Sequence, residues 1–262
     1  MLRFLLISAI ILSSFSAFAA EKVVILAPAA GDIIHKLKAE DKVVGVTKNL
    51  DGFPKAVEVG THLKPNIEII KSLKPDLLIA GSGKYFTDEI KNALGIRTYT
   101  YDPNNLAEIL LAVRDLGKEF GKADIADDLE KSLKTEISGL KKPACRVSVF
   151  FEVSQTPLMS AGTESIVSDM VTRAGGYMTV NEKKKVFKTG IETVVAGKPD
   201  IYIYQVGPMN KNPMPPQDRN EYKGLNTQYV KVDESEFSRA NTNAFKNVKF
   251  LNGIFNSYCE NH

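Results

Sequence analysis

The sequence contains no tryptophan and is poor in the residue types that most often carry enzyme chemistry. Among its 262 residues there are three histidines and two cysteines. His35, His62 and His262 do not have the spacing of metal ligands, and two isolated cysteines do not build a zinc site. No G-x-S-x-G or H-E-x-x-H segment is present. These absences lower the expectation of catalysis, and we predict that the protein is not an enzyme.

One segment superficially resembles a phosphate-binding loop but lacks its defining residues. Gly81-Ser82-Gly83-Lys84 has the glycines and the lysine, yet position 78 is leucine instead of glycine, and Tyr85 stands where serine or threonine is required. The formal net charge is only +3, and we interpret the charged run at 182–185 as a solvated loop. Nucleic acid is therefore not an expected partner.

The first 20 residues have the layout of a secretory signal peptide. Arg3 supplies a positive charge, Phe4–Leu12 is almost wholly apolar, and Ala17-Phe18-Ala19 forms an A-x-A cleavage motif. The apolar stretch is shorter than the about 20 residues that a membrane-spanning helix needs. We therefore predict cleavage near Ala20 and export of a soluble mature chain, with a retained anchor as the alternative.

The two cysteines lie far apart in the sequence, at Cys145 and Cys259. Export to an oxidising compartment would allow them to form a disulfide that links the start of the second half to the C-terminus. Two unrelated thiols remain the alternative, because a sequence does not show which cysteines are close in space.

Two segments of the chain, 64–80 and 189–205, repeat one pattern. In each, an Ile-Glu pair opens a short helical stretch, Lys-Pro-Asp follows six residues after the glutamate, and an apolar run ends the unit. The two glutamates are Glu68 and Glu192. Two similar units at this distance predict two similar lobes.

The pattern of apolar residues predicts an α/β fold. Strands alternate with short helices over residues 21–103, and again over 141–262, which is typical of parallel α/β layers. Between them, residues 104–140 show apolar residues at helical spacing and no strand signal, with Gly117 and Gly121 able to interrupt the pattern. We predict two Rossmann-like lobes with central parallel sheets, joined by a single long backbone helix over 104–140. Two abutting helices are the alternative.

A set of short motifs, in order along nearly all of the mature chain, resembles one family of binding proteins. It is similar to the ABC-transporter solute-binding proteins that capture iron-siderophores, haem and vitamin B12, of the type with a helical backbone between two lobes. The motifs are Val23–Ala30, Asp41–Thr47, Phe53-Pro54, Val59-Gly60, Pro65–Glu68, Leu73–Ala80, Pro157–Gly162 and Ala174–Gly176.

The resemblance implies a periplasmic carrier. Such a protein captures a metal chelate in the cleft between its lobes and delivers it to an inner-membrane ABC permease and its ATPase. The expected ligand is an iron-siderophore or haem, and a corrinoid is the alternative. A periplasmic enzyme or chelatase on the same fold, and a receptor that signals without transport, remain open. No intrinsic cofactor is expected, and the protein is expected to be a monomer.

The resemblance also assigns a role to the repeated glutamates. In the family, each lobe presents one acidic residue that docks onto arginines of the permease, and the matching positions are Glu68 and Glu192. Two separated ion pairs would fix orientation and steer encounter. The alternative is that each glutamate only stabilises a helix N-terminus through the helix dipole.

The ligand-binding residues are expected in the loops that meet at the cleft. The candidates are Phe53, Thr61, His62, Lys84, Tyr85, Thr163, Glu164, Gln205 and Arg239. Haem-binding relatives carry a tyrosine ligand at the position of Thr61, so the adjacent His62 is a candidate metal ligand through the bound chelate. A surface histidine without a role is the alternative. Phe53 and Tyr85 would either stack on a flat macrocycle or cover the edge of the core. His35 is expected to pack within a helix.

Two departures from the family leave the identity of the ligand open. The cleft of vitamin B12-binding relatives often contains tryptophan, which this chain lacks. The family's R-P-x-P-R segment is replaced by Arg239-Ala240-Asn241-Thr242-Asn243, which keeps one basic side chain where an anionic siderophore would favour several.

Overall fold

The computed structural model describes residues 19–48, 50–83 and 86–262. The predicted signal peptide therefore lies almost entirely outside the described residues, and so do the candidate ligand contacts Lys84 and Tyr85. Among the helices of the described part, none is long and apolar enough to cross a membrane.

The N-terminal lobe is built on a five-stranded parallel sheet. Its strands are β1 (Val23–Ile25), β2 (Val43–Val46), β3 (Val57–Glu58), β6 (Leu77–Ala80) and β7 (Thr98–Thr100), and a hairpin of β4 (Gly60–Thr61) and β5 (Lys64–Pro65) lies apart. The order across the sheet is β3-β2-β1-β6-β7, and all neighbouring strands are parallel. The helices are α1 (Gly31–Lys36), α2 (Ile67–Leu73) and α3 (Asp88–Leu94). The central strands β1 and β6 are buried along their whole length, which explains their unbroken apolar sequences.

The C-terminal lobe repeats this plan with a mixed edge. Its strands are β8 (Val147–Ser154), β9 (Met159–Ala161), β10 (Gly176–Met178), β11 (Val186–Lys188), β12 (Ile201–Val206) and β13 (Gln228–Asp233). The order is β11-β9-β8-β12-β13, with β10 also paired to β8. The pairs of β8 with β10 and β12, and of β12 with β13, are parallel, whereas β9 is antiparallel to both of its neighbours. The helices are α6 (Ile166–Arg173), α7 (Ile191–Gly197), α8 (Glu234–Phe237) and α9 (Asn243–Asn261).

The segment between the lobes holds two helices instead of the predicted single one. They are α4 (Leu106–Glu119) and α5 (Ala123–Glu136). Gly121 has φ +64°, and the N–H groups of Gly121 and Lys122 donate to the carbonyls of Lys118 and Gly117. This is a Schellman motif, the glycine-dependent arrangement that ends helices. Gly121 therefore stops α4.

The second helix folds back against the first because residue 117 has no side chain. A Cβ atom at Gly117 would lie 2.4 Å from the Cβ of Ala126 on α5, so only glycine permits this approach. The largely buried carboxylate of Glu130 on α5 pairs with Arg114 on α4 and with Lys134. The bridge is thus a helical pair held by close packing and by a small charge cluster.

The helical pair contacts both lobes. At one end, the backbone N–H of Leu106 donates to the carboxylate of Asp169 on α6, with an N···O distance of 2.9 Å. At the other end, the carbonyl of Glu119 accepts from the N–H of Ala20, near β1, at 2.7 Å. The lobes also touch directly, since the carboxylate of Asp32 accepts from the N–H of Thr242 at 3.0 Å. One hydrophobic cluster accordingly runs through both lobes and the bridge.

The repeated sequence pattern corresponds to a repeated piece of structure. The seven-residue helices α2 and α7 each end at a lysine in the left-handed conformation, Lys74 (φ 48°) and Lys198 (φ 40°). After the proline, the aspartate binds the start of the first strand of its own lobe. Asp76 accepts from two backbone N–H groups just before β1, and Asp200 accepts from the N–H of Ser148 on β8 at 2.7 Å. The Lys-Pro-Asp unit thus ends a helix and anchors the neighbouring strand in both lobes.

Candidate ligand-binding cleft

A cavity of about 610 Å³ lies between the two lobes. The N-terminal lobe contributes the segments that follow the carboxyl ends of β1, β6 and β7, and the C-terminal lobe contributes β8, the end of β12 and the start of α6. Ligand sites in open α/β sheets commonly form at such strand ends. Most of the lining is apolar, and includes Leu26, Pro28, Phe86, Tyr101, Phe151, Val153, Ile166, Val167, Val186 and Met209.

Three of the predicted ligand contacts line this cavity. His62 is exposed in the turn between β4 and β5. Glu164 is exposed just before α6. Gln205 is fully buried near the end of β12, and its amide is held on both sides: Nε2 donates to the carbonyl of Val153 at 2.9 Å, and Oε1 accepts from the hydroxyl of Ser238. The structure thus brings together residues from three separate segments of the sequence.

Phe53 is placed in the core of the N-terminal lobe and is not among the cavity-lining residues. Its ring stacks on that of His35 with centroids 4.3 Å apart, and only 6% of the residue is exposed. His35 is in turn bonded to Glu40, with Nδ1 and Oε1 2.9 Å apart. The role expected for Phe53 as a ligand contact is therefore replaced by the alternative, cover for the edge of the core, and His35 packs as expected.

Thr61 and Thr163 also lie beside the cavity lining without being part of it. The hydroxyl of Thr61 accepts from the N–H of Lys64 at 3.1 Å, which closes the β4–β5 turn. The N–H of Thr163 donates to the carbonyl of Glu182 at 2.8 Å. Both threonines shape loops that present their neighbours, His62 and Glu164, to the cavity.

Arg239 is not among the lining residues either, although residues 238 and 240 on either side of it are. The hydrogen bond from the Ser235 side chain is the main cause that lowers the pKa of Asp233, and the charge of Arg239 makes a smaller contribution there and at Glu234. For Glu234 the larger effect is burial, which raises its pKa overall. The basic side chain that survives near the last strand therefore lies outside the cavity lining.

An ion pair that the sequence did not predict crosses the cleft. Asp102, in the segment after β7, pairs with Lys185, which precedes β11 in the other lobe. Both residues line the cavity, and their side chains are 34% and 45% exposed. The charged run at 182–185 is thus not only a solvated loop, because its last residue connects the lobes.

The loop that carries Lys185 is folded tightly against the residues before α6. The N–H of Gly162 donates to the carbonyl of Lys185 at 3.0 Å, and the N–H of Glu164 donates to that of Lys184 at 3.2 Å. A Cβ atom at position 162 would lie 2.1 Å from the carbonyl oxygen of Lys184, so glycine is required there. Glu164 and Lys185 are consequently presented by one rigid surface.

A second unpredicted feature is a buried polar network beneath the cavity. Arg219 and Glu152 form two hydrogen bonds, of 2.5 and 2.9 Å, and their side chains are 2% and 0% exposed. The Glu152 carboxylate also accepts from the hydroxyl of Tyr202 at 2.6 Å and from the amide of Asn210 at 3.1 Å. Burial and the negative charge of Glu152 raise the pKa of Tyr202, so its phenol stays a donor. The network fixes the loop after β12, which places Met209 in the cavity wall.

The two repeated glutamates occupy equivalent positions on the lobes. Glu68 lies in the first turn of α2, whose N-cap Asn66 accepts from the N–H of Ile69 at 3.0 Å. Glu192 lies in the first turn of α7, after Gly190. Both glutamates are exposed. Their positions suit permease docking and helix stabilisation alike.

Comparison with known proteins places the chain in a family. Residues 23–217 match the family model described as periplasmic binding protein. The chain belongs to the periplasmic binding protein family. An uncharacterised ABC transporter substrate-binding lipoprotein of Bacillus subtilis (strain 168) is 34% identical to this periplasmic binding protein over 199 residues. The match covers 70% of this chain and 63% of the relative, so less than two thirds of the relative's length is spanned.

Solved structures share the fold of this periplasmic binding protein. The periplasmic vitamin B12-binding protein BtuF of Vibrio cholerae superposes with a TM-score of 0.74 at 20% identity, covering 94% of this chain and 100% of that one. The periplasmic haem-binding protein RhuT of Roseiflexus sp. RS-1, in its apo form, gives a TM-score of 0.74 at 20% identity and covers 92% and 100%. The predicted two-lobed α/β architecture and the family resemblance are confirmed.

Proposed function

We propose that this protein captures a metal chelate in the cleft between its lobes and delivers it to an ABC importer of the inner membrane. The observation that carries the proposal is the inter-lobe cavity of about 610 Å³, whose size lies within the roughly 300–1,000 Å³ of small-molecule sites. Its mainly apolar walls suit an organic ligand that encloses its metal. The names of the two solved relatives, which bind vitamin B12 and haem, support a chelate as the cargo.

The chelate is proposed to be an iron-siderophore or haem, and a corrinoid is the second candidate. His62 on the cavity wall supports a macrocycle with an open axial position, because a neutral imidazole is a good ligand for haem iron and for cobalt. The corrinoid is supported by relatives such as the vitamin B12-binding protein of Vibrio campbellii, which is 22% identical over 83% of this chain.

Binding is tested with a thermal-shift screen of the purified mature protein against haemin, ferrioxamine B, ferrichrome and cyanocobalamin. A ligand at 100 times its dissociation constant adds about 2.7 kcal/mol to the unfolding free energy, which gives a clear rise in melting temperature. No shift with any chelate would contradict the proposal. The visible absorbance of the complex formed by His62→Ala then tests whether His62 is a metal ligand. An unchanged spectrum and affinity would show that it is not.

Delivery is proposed to depend on Glu68 and Glu192, which dock on the permease. This docking role is supported by the matched placement of the two exposed carboxylates on equivalent helices, one on each lobe. Uptake into liposomes that contain the importer should fall for Glu68→Gln and Glu192→Gln, while chelate affinity stays unchanged. Glu221→Gln, on an exposed glutamate of a surface loop, is the matched control. Full transport by both docking variants would count against the role.

The mature protein is further proposed to be a periplasmic monomer without catalytic activity. Residues 1–20 support export through their signal-peptide layout. Cell fractionation and size-exclusion chromatography with light scattering test location and oligomeric state. Incubation of the protein with its chelate in the absence of any permease tests catalysis, because release or modification of the metal there would favour a chelatase.

A further inference from the structure

The charges around the cavity are unevenly compensated. Besides His62, the ionisable residues of its described lining are Asp102, Glu164, Lys185 and Tyr101. Lys185 is already neutralised by Asp102 across the cleft. Arg239 lies outside the lining. The described cavity wall therefore presents one carboxylate, that of Glu164, without a compensating cation.

Glu164 is held in place by its backbone, and its side chain is left exposed. Its N–H donates to the carbonyl of Lys184 at 3.2 Å, and the next residue, Ser165, caps α6 by accepting from the N–H of Ser168 at 3.2 Å. Across residues 19–48, 50–83 and 86–262, the carboxylate of Glu164 makes no hydrogen bond or ion pair. A ligand in the cavity thus meets a carboxylate whose backbone is held in place and whose oxygens bind no donor of the described protein.

Two polar side chains around the cavity, those of Gln205 and Ser165, are already engaged with the protein, whereas the buried Oδ1 of Asn104 has no hydrogen-bond partner among the described residues. Both ends of the Gln205 amide are bonded, to the carbonyl of Val153 and to the hydroxyl of Ser238. The hydroxyl of Ser165 donates to the carbonyl of Gly162 at 2.7 Å. An anionic group of a ligand would find the Gln205 amide and the Ser165 hydroxyl occupied, and it would also face the like charge of Glu164.

We propose that Glu164 makes the cleft prefer, within one class of chelate, the form whose periphery is neutral or cationic and donates hydrogen bonds over the form that carries more peripheral carboxylates. An ionised carboxylate only accepts hydrogen bonds, so it is satisfied by ligand N–H or O–H groups and repelled by ligand anions. The inference rests on the proposed function, because it assigns specificity to the same chelate-binding cleft.

The test compares chelates that differ only in peripheral charge, by calorimetry at low salt. The probes are ferrioxamine B with its N-acetyl and N-succinyl derivatives, haemin with its dimethyl ester, and cyanocobalamin with its monocarboxylic acids. Within the class that binds, the neutral or cationic member should bind about tenfold more tightly than the anionic one, equivalent to ~1.4 kcal/mol. Glu164→Gln should remove most of this preference. Glu182→Gln, on an exposed glutamate of the adjacent loop outside the cavity lining, should keep it.

The outcomes separate the specificity of the cleft from its function. If the anionic member binds as tightly as its partner, or if Glu164→Gln leaves the preference unchanged, the role of Glu164 is wrong although the cleft still binds chelates. If no probe of any class binds the wild-type protein, the proposed function itself fails.

Discussion

Replacing Arg219 by methionine should destabilise the C-terminal lobe strongly. The substitution keeps an unbranched side chain of similar length but removes the cation from a pair whose side chains are 2% and 0% exposed. Glu152 would keep its hydrogen bonds to Tyr202 and Asn210 but lose both bonds to the guanidinium. A carboxylate would then be buried without a counter-charge.

The expected loss follows from the burial of the pair. Breaking a buried ion pair costs about 3–5 kcal/mol of unfolding free energy. Because Glu152 keeps two hydrogen bonds, we expect a loss at the lower end of this range, about 3 kcal/mol. For a chain of this length each kcal/mol lowers the melting temperature by about 2–4 °C, so a fall of about 6–12 °C is expected.

Urea denaturation followed by far-UV circular dichroism measures the effect, since the chain has no tryptophan for fluorescence. The matched control is Lys246→Met, which breaks a pair with Glu236 whose side chains are 57% and 58% exposed. Exposed pairs contribute about 0–1 kcal/mol, so the control should unfold almost as the wild type does. If Arg219→Met loses no more stability than Lys246→Met, the buried network is not what holds the loop after β12.

Three further predictions concern the cleft, the helical bridge and the disulfide. Asp102→Asn or Lys185→Met should speed chelate dissociation up to about fivefold in stopped-flow measurements, since an exposed pair contributes at most about 1 kcal/mol. The guanidinium hydrogen-bonded to Glu130, aided by a nearby lysine, lowers the pKa of that carboxyl group to about 2. The ionised Glu130 carboxylate therefore stabilises the fold fully above pH ~4.5, and this stabilisation is lost as the pH falls through ~2. Over that window the unfolding free energy of the wild type should fall by about 1–2 kcal/mol more than that of Glu130→Gln. Cys145 and Cys259 are bonded, and replacing both with serine should cost about 2–4 kcal/mol.

Each of these predictions has a clear contrary result. Equal dissociation rates in the wild type and both cleft variants would show that the inter-lobe ion pair does not retain the ligand. Parallel stability curves for the wild type and Glu130→Gln in acid would remove the bridge carboxylate as the source of the pH dependence. If the double serine variant has the same midpoint of urea unfolding as the wild type, the disulfide does not stabilise the native state.

The parts of the fold that follow from local patterns could be predicted from the sequence. The apolar runs of β1 and β6 and the repeated Lys-Pro-Asp units indicated two α/β lobes, because burial and helix termination act on neighbouring residues. The bridge was harder, since apolar spacing continues through 104–140. A glycine at position 121 was recognised as a possible interruption, but the left-handed turn that ends α4 was not predicted.

The features of the cleft that were missed depend on contacts between distant residues. Asp102 and Lys185 are 83 residues apart, and Glu152 and Arg219 are 67 apart. No local pattern indicates such pairs. The one signal in the sequence is an arginine, Arg219, within a loop otherwise rich in proline and asparagine, which suggests a structural role for its side chain. Phe53 shows the converse: its position in a loop after a strand favoured a ligand contact, but stacking on His35 turns it into the core.

Filling the inter-lobe cavity tests most directly whether the ligand binds there. Gly81 lines the cavity, and a Cβ atom built on it meets no heavy atom of the described residues within 4 Å, so Gly81→Trp adds an indole at the cavity wall without a clash of its base with these residues. Gly253 on α9 is equally open but lies elsewhere, and Gly253→Trp is the control. Calorimetry with the chelate that binds the wild type should show affinity at least about tenfold weaker, ~1.4 kcal/mol, for Gly81→Trp and unchanged for Gly253→Trp. Wild-type affinity in Gly81→Trp would contradict binding between the lobes.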